Sequence, residues 1–392
     1  MFHSLDQLIS WEETTKKKRG VTHTPAEIAR QPQVWRETSD VMQDLNGVIR
    51  ELIDDQETIV LTGAGSSYFA GQCVEAALAS VHKGIVKSIS STEIVMNPEG
   101  TLPRSPFTLV SFARSGNSPE GNAVFRLAQD LRPGLVKQIV VTCNDKGELA
   151  RLARQSSGPS VLCVLPPSTN DAGLAMTSSF TSMVVAGFGL AYRRDASGYK
   201  AMVAALAKAA EKLLRTHGEI LRSIAATSFS RIFFVGASPF FGVAQESHLK
   251  VQEMTDGQVI GKAEDTLGLR HGPMAAINEN TLVVLFASTD TYRRRYETDL
   301  LKELSTKDLG CKRLVVCPDP ESGWESLCHH VLDFGGDCDH LTDSVLSPVL
   351  VLPAQIIGLF KSLELGLMPD SPSRKRVISR VVEGVTIYPY PK

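Results

Sequence analysis

Glu246, Lys250 and Glu253 stand at positions i, i+4 and i+7 of the stretch Gln245–Glu253. On a helix with 3.6 residues per turn, that spacing sets two carboxylates and an ammonium in one row on one face. His271 follows Glu253 by 18 residues, inside Arg270-His271-Gly272-Pro273, beside a Gly-Pro turn. Carboxylates and imidazoles are the side chains best suited to moving protons near neutral pH. If the fold brings them together, they form an acid/base set. The same spacing also serves an exposed helix with a Glu→Lys pair worth only ~0.3–0.5 kcal/mol, so spacing alone leaves both readings open.

A second kind of chemistry lies earlier in the chain. The apolar, β-branched run Thr58–Thr62 ends in Gly63-Ala64-Gly65-Ser66-Ser67, and an alanine-rich helical pattern follows from Tyr68 to Val81. Phe107–Phe112 repeats the pattern and ends in Ala113-Arg114-Ser115-Gly116-Asn117-Ser118, before Pro119 and Glu120, which suit the first turn of a helix. Backbone N–H groups at two helix N-termini, hydroxyls and a guanidinium suit an anion. Each charge-assisted hydrogen bond to a phosphate is worth on the order of 1.5–3 kcal/mol. Small residues also serve simply as tight turns and caps. Two such loops in one half of the chain, with neither repeated in the other half, favour the anion.

These residues need a frame. Apolar runs at Gln138–Cys143 and Val161–Leu165, separated by helical patterns, indicate a parallel sheet with helices on both faces. Turns at the carboxyl ends of its strands are where ligands bind. Helices are expected over Thr177–Leu190 and Tyr199–Ile224, the second joining two halves. The second half repeats the first: Gly63-Ala64 matches Gly236-Ala237 at an offset of 173, and Phe112-Ala113 matches Phe286-Ala287 at 174. Further strands are expected at Arg313–Cys317 and His330–Phe334, then a helix over Leu346–Leu367 with Pro348 and Pro353 near its start. Residues 1–45 read as a polar helical arm that packs on the body or on a partner subunit. Thr24 caps a helix there, and Ile28 and Trp35 share a face. The organisation expected is thus arm 1–45, first α/β domain 46–200, and second α/β domain with tail 201–392.

Composition narrows the function. The 392 residues are 43% hydrophobic and 21% charged, with a net charge of −2, so no basic footprint for nucleic acid appears. No apolar run reaches ~18 residues, and the N-terminus lacks the order of a signal peptide, so neither a membrane span nor export is expected. Seven scattered cysteines with no C-x-x-C pair fit reduced thiols in the cytoplasm. Cys328, His329, His330, Cys338 and His340 match no standard zinc spacing, and a strand entry explains that segment. No metal and no cofactor are expected.

The motifs LTGAGSSYFAG (61–71), SFARSGNSPE (111–120), AMTSS (175–179), RHGP (270–273) and RVVEGVTIYP (380–389) together resemble the two-domain sugar isomerase (SIS) family. The resemblance runs from about residue 40 to the end. Within the family it is nearest the AgaS-type galactosamine-6-phosphate deaminases/isomerases, also described as tagatose-6-phosphate ketose/aldose isomerases. It implies two SIS domains, each a parallel five-stranded sheet in a flavodoxin-like three-layer sandwich. It implies sugar-phosphate binding by Gly65, Ser66, Ser67, Ser115, Asn117 and Ser118, with Arg114 in reach of phosphate and Thr177 at the end of a loop that closes over the sugar. Glu253 matches the base that moves a proton between C1 and C2, and His271 the ring-opening histidine. Glu246 and Lys250 match neighbours lining that site. A homodimer or larger assembly is implied, with an active site that can take its histidine from a neighbouring subunit. Two departures stand out. The chain starts Met1-Phe2 without the amidotransferase domain of glucosamine-6-phosphate synthase, and Glu383 stands where that relative has a carbonyl-engaging lysine. Schiff-base chemistry at that position is therefore not expected. The function implied is conversion of a hexosamine 6-phosphate to a ketose 6-phosphate and ammonia. Plain aldose–ketose isomerisation, sugar–amine cleavage and a non-catalytic sensor are the alternatives.

Overall fold

A computed structural model describes residues 3–382 and 384–391. Glu383, the residue at the lysine position, lies outside the described residues. The chain forms two compact units. One holds Val34–Asp171, Ser178–Val203 and the chain from Ile378 on. The other holds the chain up to Gln33, Ala172–Thr177 and Ala204–Val377. The helix Ala196–Ala225 carries the chain from one unit into the other.

In the first sheet the strands are β1 (Thr58–Thr62), β2 (Val86–Ser88), β3 (Phe107–Ala113), β4 (Val136–Thr142) and β5 (Ser160–Val164), in the order β2-β1-β3-β4-β5. Every neighbouring pair is parallel. Six of the seven β3 residues are buried, which is why the run is apolar without alternation. Strand order reverses between β1 and β3, whose register runs from Thr58↔Phe107 to Thr62↔Ser111. Both Ser/Gly turns therefore leave the sheet side by side at its switch point, the crevice where open α/β sheets bind ligands.

The second sheet comprises β6 (Arg231–Val235), β7 (Ile260–Glu264), β8 (Thr281–Phe286), β9 (Lys312–Cys317) and β10 (His330–Asp333). Its order, β10-β9-β8-β6-β7, is the first sheet's pattern again. Starts of equivalent strands keep the repeat offset, 173 for Thr58 and Arg231 and 174 for Phe107 and Thr281. The duplication read from two dipeptides is thus a duplication of whole sheets.

The sequence reading misses β2 and β7, one of the two edge strands of each sheet. β2 has three half-buried residues, and no residue of β7 (Ile260-Gly261-Lys262-Ala263-Glu264) is buried. An edge strand pairs on one side only and needs little apolar surface, so it leaves a weak sequence signal. The expected helix over Leu346–Leu367 is broken into Ser347–Leu350 and Leu352–Glu364. Pro353 sits in the first turn of the latter, where its missing N–H costs nothing. Thr24 is not a cap but the first residue of the helix Thr24–Ala29. The cap comes from far away in sequence: Asp370 accepts from Thr22 N (2.6 Å), Thr24 N (2.8 Å) and Thr24 Oγ1 (2.8 Å). Ile28 and Trp35 are fully buried as their spacing suggests, and the Trp35 indole N–H donates to Thr181 Oγ1 at 2.8 Å. All seven cysteines are free thiols. No helix among the described residues is long and apolar enough to cross a membrane.

Candidate active site

The acid/base row lies on the helix Phe241–Met254, which follows β6. Its residues face inward rather than toward water. Glu246 and Lys250 are completely buried, and the Glu253 side chain keeps 23% of its exposure. The Lys250 ammonium stands between the two carboxylates, 3.3 Å from Glu246 Oε1 and 2.7 Å from Glu253 Oε2. A surface i,i+4 pair is therefore excluded. Buried charges persist only when paired, and this pairing fixes the rotamer of Glu253 at the edge of the buried row. Burial pushes the imidazole of neighbouring His248 below its ordinary range; Glu253 opposes that shift and Lys250 adds to it. His271 lies on the loop after β7, closing a short 3₁₀ turn, and is exposed.

In the β1–β5 unit, the turn after β1 is built by glycine. A Cβ on Gly63 would come within 2.5 Å of the Ser67 backbone, and Gly65 adopts φ +55°. The chain can then enter the helix Ser66–Ala79 at once, with Ser66 and Ser67 buried in its first turn. The turn after β3 is braced by the β4 loop. Asn144 Nδ2 donates to Ser115 O at 2.8 Å, Leu149 N to Gly116 O at 2.8 Å, and Glu148 N to Asn117 Oδ1 at 3.0 Å. Ser115 Oγ accepts from Asn117 N at 3.2 Å, and Ser118 Oγ donates to Glu120 Oε2 at 2.6 Å. Arg114 is buried, and its Nη2 donates to the carbonyl of Arg380 in the tail at 2.6 Å. Cys143 is close by, but burial pushes its thiol up to about 12, so it offers no nucleophile near neutral pH. Thr177 is fully buried in the other unit. The structure thus gathers Ser66, Ser67, Arg114, Ser115, Asn117 and Ser118 into one unit, and Glu246, Lys250, Glu253 and His271 into the other.

The turn after β8 explains why the anion set is missing from the β6–β10 unit. Ser288 and Thr289 take the place of Arg114 and Ser115, and the protein's own carboxylate sits on them. Asp343 Oδ1 accepts from Thr289 N (2.8 Å) and Thr289 Oγ1 (2.7 Å). Its Oδ2 accepts from Ser288 Oγ and from Arg293 Nη1 (3.0 Å). Glu297 lies beside this cluster, 2% exposed, and accepts from Ser288 N at 3.0 Å. Burial, with help from Asp343, pushes its carboxyl up to about 7 against the pull of the Ser288 N–H, Arg294 and Arg293. A carboxyl raised on folding stabilises the fold below its unfolded value of 4.5, and that stabilisation is lost as pH rises through about 7. Linkage over this window is worth on the order of 3 kcal/mol. Glu297→Gln should match the native protein in thermal stability at pH 5 and gain on it at pH 8. A stability gap that does not change with pH would remove Glu297 as the source.

The strand expected at His330–Phe334 is β10, and of the late Cys/His cluster only His330 lies in it. β10 begins at His330, His329 Nδ1 accepts from Arg313 N at 3.0 Å, and the Cys328 thiol donates to Trp324 O at 3.2 Å.

Comparison with known proteins matches the two sheets. The SIS domain is found twice, over residues 52–191 and 227–357. A Streptomyces coelicolor protein is 38% identical over 382 residues, covering 93% of this chain and 95% of its own. D-galactosamine-6-phosphate deaminase AgaS of Shewanella sp. (strain ANA-3) is 33% identical, covering 98% of this chain and 96% of its own. The crystal structure of tagatose-6-phosphate ketose/aldose isomerase from Escherichia coli superposes with a TM-score of 0.84 at 28% identity, covering 94% of this chain and 97% of its own. With two matched domains on two sheets of one topology, the chain belongs to the SIS domain family.

Proposed function

We propose that this protein is an enzyme that converts galactosamine 6-phosphate to a ketose 6-phosphate and ammonia. The observation that carries this reading is the end-to-end match to a D-galactosamine-6-phosphate deaminase, over 98% of this chain. The phosphate docks on the turns after β1 and β3, through Gly65, Ser66, Ser67, Ser115, Asn117 and Ser118. His271 serves ring opening. Glu253, held by Lys250, takes the proton from C2, leaving an enolamine, and returns it to C1. The resulting ketimine takes up one water and releases ammonia, leaving the ketose.

The enzyme works as a homodimer or larger assembly with a shared active site. The exposure of His271 supports its use by a neighbouring subunit, and light scattering would give the assembly. Free thiols throughout support a cytoplasmic setting.

Ammonia release is the direct test, with galactosamine 6-phosphate and glucosamine 6-phosphate assayed in parallel. Ammonia from the former supports the reading. No ammonia from either, with ketose formed instead from a hexose 6-phosphate that lacks the amine, would leave the second reading, plain ketose/aldose isomerisation, which the name of the Escherichia coli neighbour favours. The phosphate cradle has its own test. Ser67→Ala with Ser118→Ala should weaken substrate binding by about 10²-fold or more, since two hydrogen bonds to a charged group are lost. Unaltered affinity by calorimetry would refute the cradle.

A further inference from the structure

We propose that Arg380 is a positioning residue of this enzyme, a tie between the phosphate turn, the tail and the corner from which the 172–177 loop leaves. This rests on the sugar-phosphate reading above. Three stretches far apart in sequence meet at one residue, Arg380, through its carbonyl and its guanidinium. Arg114, the first residue after β3, is 7% exposed and donates Nη2 to the Arg380 carbonyl at 2.6 Å. Arg380 itself donates Nε to the carbonyl of Asp171 at 2.8 Å and Nη2 to Asn170 Oδ1 at 2.6 Å. The Asp171 carboxylate, fully buried, accepts from Ser179 N at 2.7 Å, Ser179 Oγ at 2.6 Å and Ser178 Oγ, and so holds the start of the helix Ser178–Ala191. Both ends of the 172–177 segment, Asp171 and Ser178, are thereby fixed to each other and to the tail.

Electrostatics support a functional tie rather than mere packing. The Arg114 guanidinium puts positive charge on the turn assigned to phosphate, and the Arg380 carbonyl holds it there. A planar guanidinium suits position 380 because it donates in two directions at once, to a backbone carbonyl and to an amide oxygen. Lysine would supply the charge without that geometry. The structure therefore predicts that geometry, not charge alone, matters at position 380.

The test compares the native full-length protein with Arg380→Ala and Arg380→Lys. Readouts are kcat and KM on galactosamine 6-phosphate and hydrogen–deuterium exchange over residues 170–179. Arg380→Ala should exchange faster there and lose about tenfold in kcat, the scale of a modest misplacement of reacting groups. Added methylguanidinium should restore both, and Arg380→Lys should recover neither. Unchanged exchange, or faster exchange with an unchanged kcat, overturns the proposal. If the native protein turns over no amino-sugar phosphate, the deaminase reading fails separately. Exchange then decides the tie alone: faster exchange in Arg380→Ala upholds it and unchanged exchange overturns it. Should Arg380→Ala fail to fold, Arg380→Lys must still show the faster exchange and lower kcat, and native values in it overturn the proposal.

Discussion

Replacing Glu253 with glutamine is expected to lower kcat by about 10²–10⁴-fold, the usual contribution of a positioned general base. The substitution is close to isosteric. The amide oxygen of the new side chain can still accept from the Lys250 ammonium, which stands 2.7 Å from Glu253 Oε2 in the native protein, so the helix keeps its packing. What disappears is an acceptor able to take the C2 proton. Because that loss acts in the transition state, kcat should fall with little change in KM, and the phosphate turns should bind as before. Incorporation of solvent deuterium into the product at C1 should fall in parallel. A kcat within a factor of about two of the native value would remove Glu253 from the proton path.

Lys250→Met is expected to cost about 3–5 kcal/mol of stability, the usual penalty for removing one partner of a buried ion pair. Lys250 is fully buried, and so is Glu246, 3.3 Å away. Methionine fills the space but takes away the ammonium that the carboxylates face. Glu253 can turn to water with its 23% exposure, whereas Glu246 cannot. The loss should therefore fall mainly on Glu246, and adding Glu246→Gln should recover much of it. Denaturant midpoints for the two variants and the native chain measure this. A Lys250→Met protein within about 1 kcal/mol of native would show that the row contributes little to folding. Activity should fall as well, because Lys250 sets the rotamer of Glu253.

The architecture was legible in the chain because parallel strands buried on both faces must be nearly continuous apolar runs. Thr58–Thr62, Phe107–Ala113, Arg231–Val235 and Thr281–Phe286 are such runs, and each is a strand at the centre of a sheet. Glycine at 63 and 65 was likewise informative, since few other residues fit a close backbone approach or a positive φ. Edge strands β2 and β7 were not legible, for they bury too little to need apolar residues.

The spacing of Glu246, Lys250 and Glu253 follows from local sequence alone, because helix geometry fixes which residues share a face. Whether that face meets water or the interior does not. Burial of the Lys250 ammonium is decided by what packs over the helix Phe241–Met254, and it separates a surface pair from a fixed acid/base row. The same holds for the carboxylates that cap and fill turns. Asp370 reaches Thr24, Asp343 fills the turn after β8 and Asp171 holds the Ser178–Ala191 helix. Asp370 and Asp343 lie 346 and 54 residues from the groups they bind. Composition and periodicity determined the buried strands and the repeat. Tertiary structure alone decided the charge partners, because an ion pair depends on distance through space, and sequence separation does not report it.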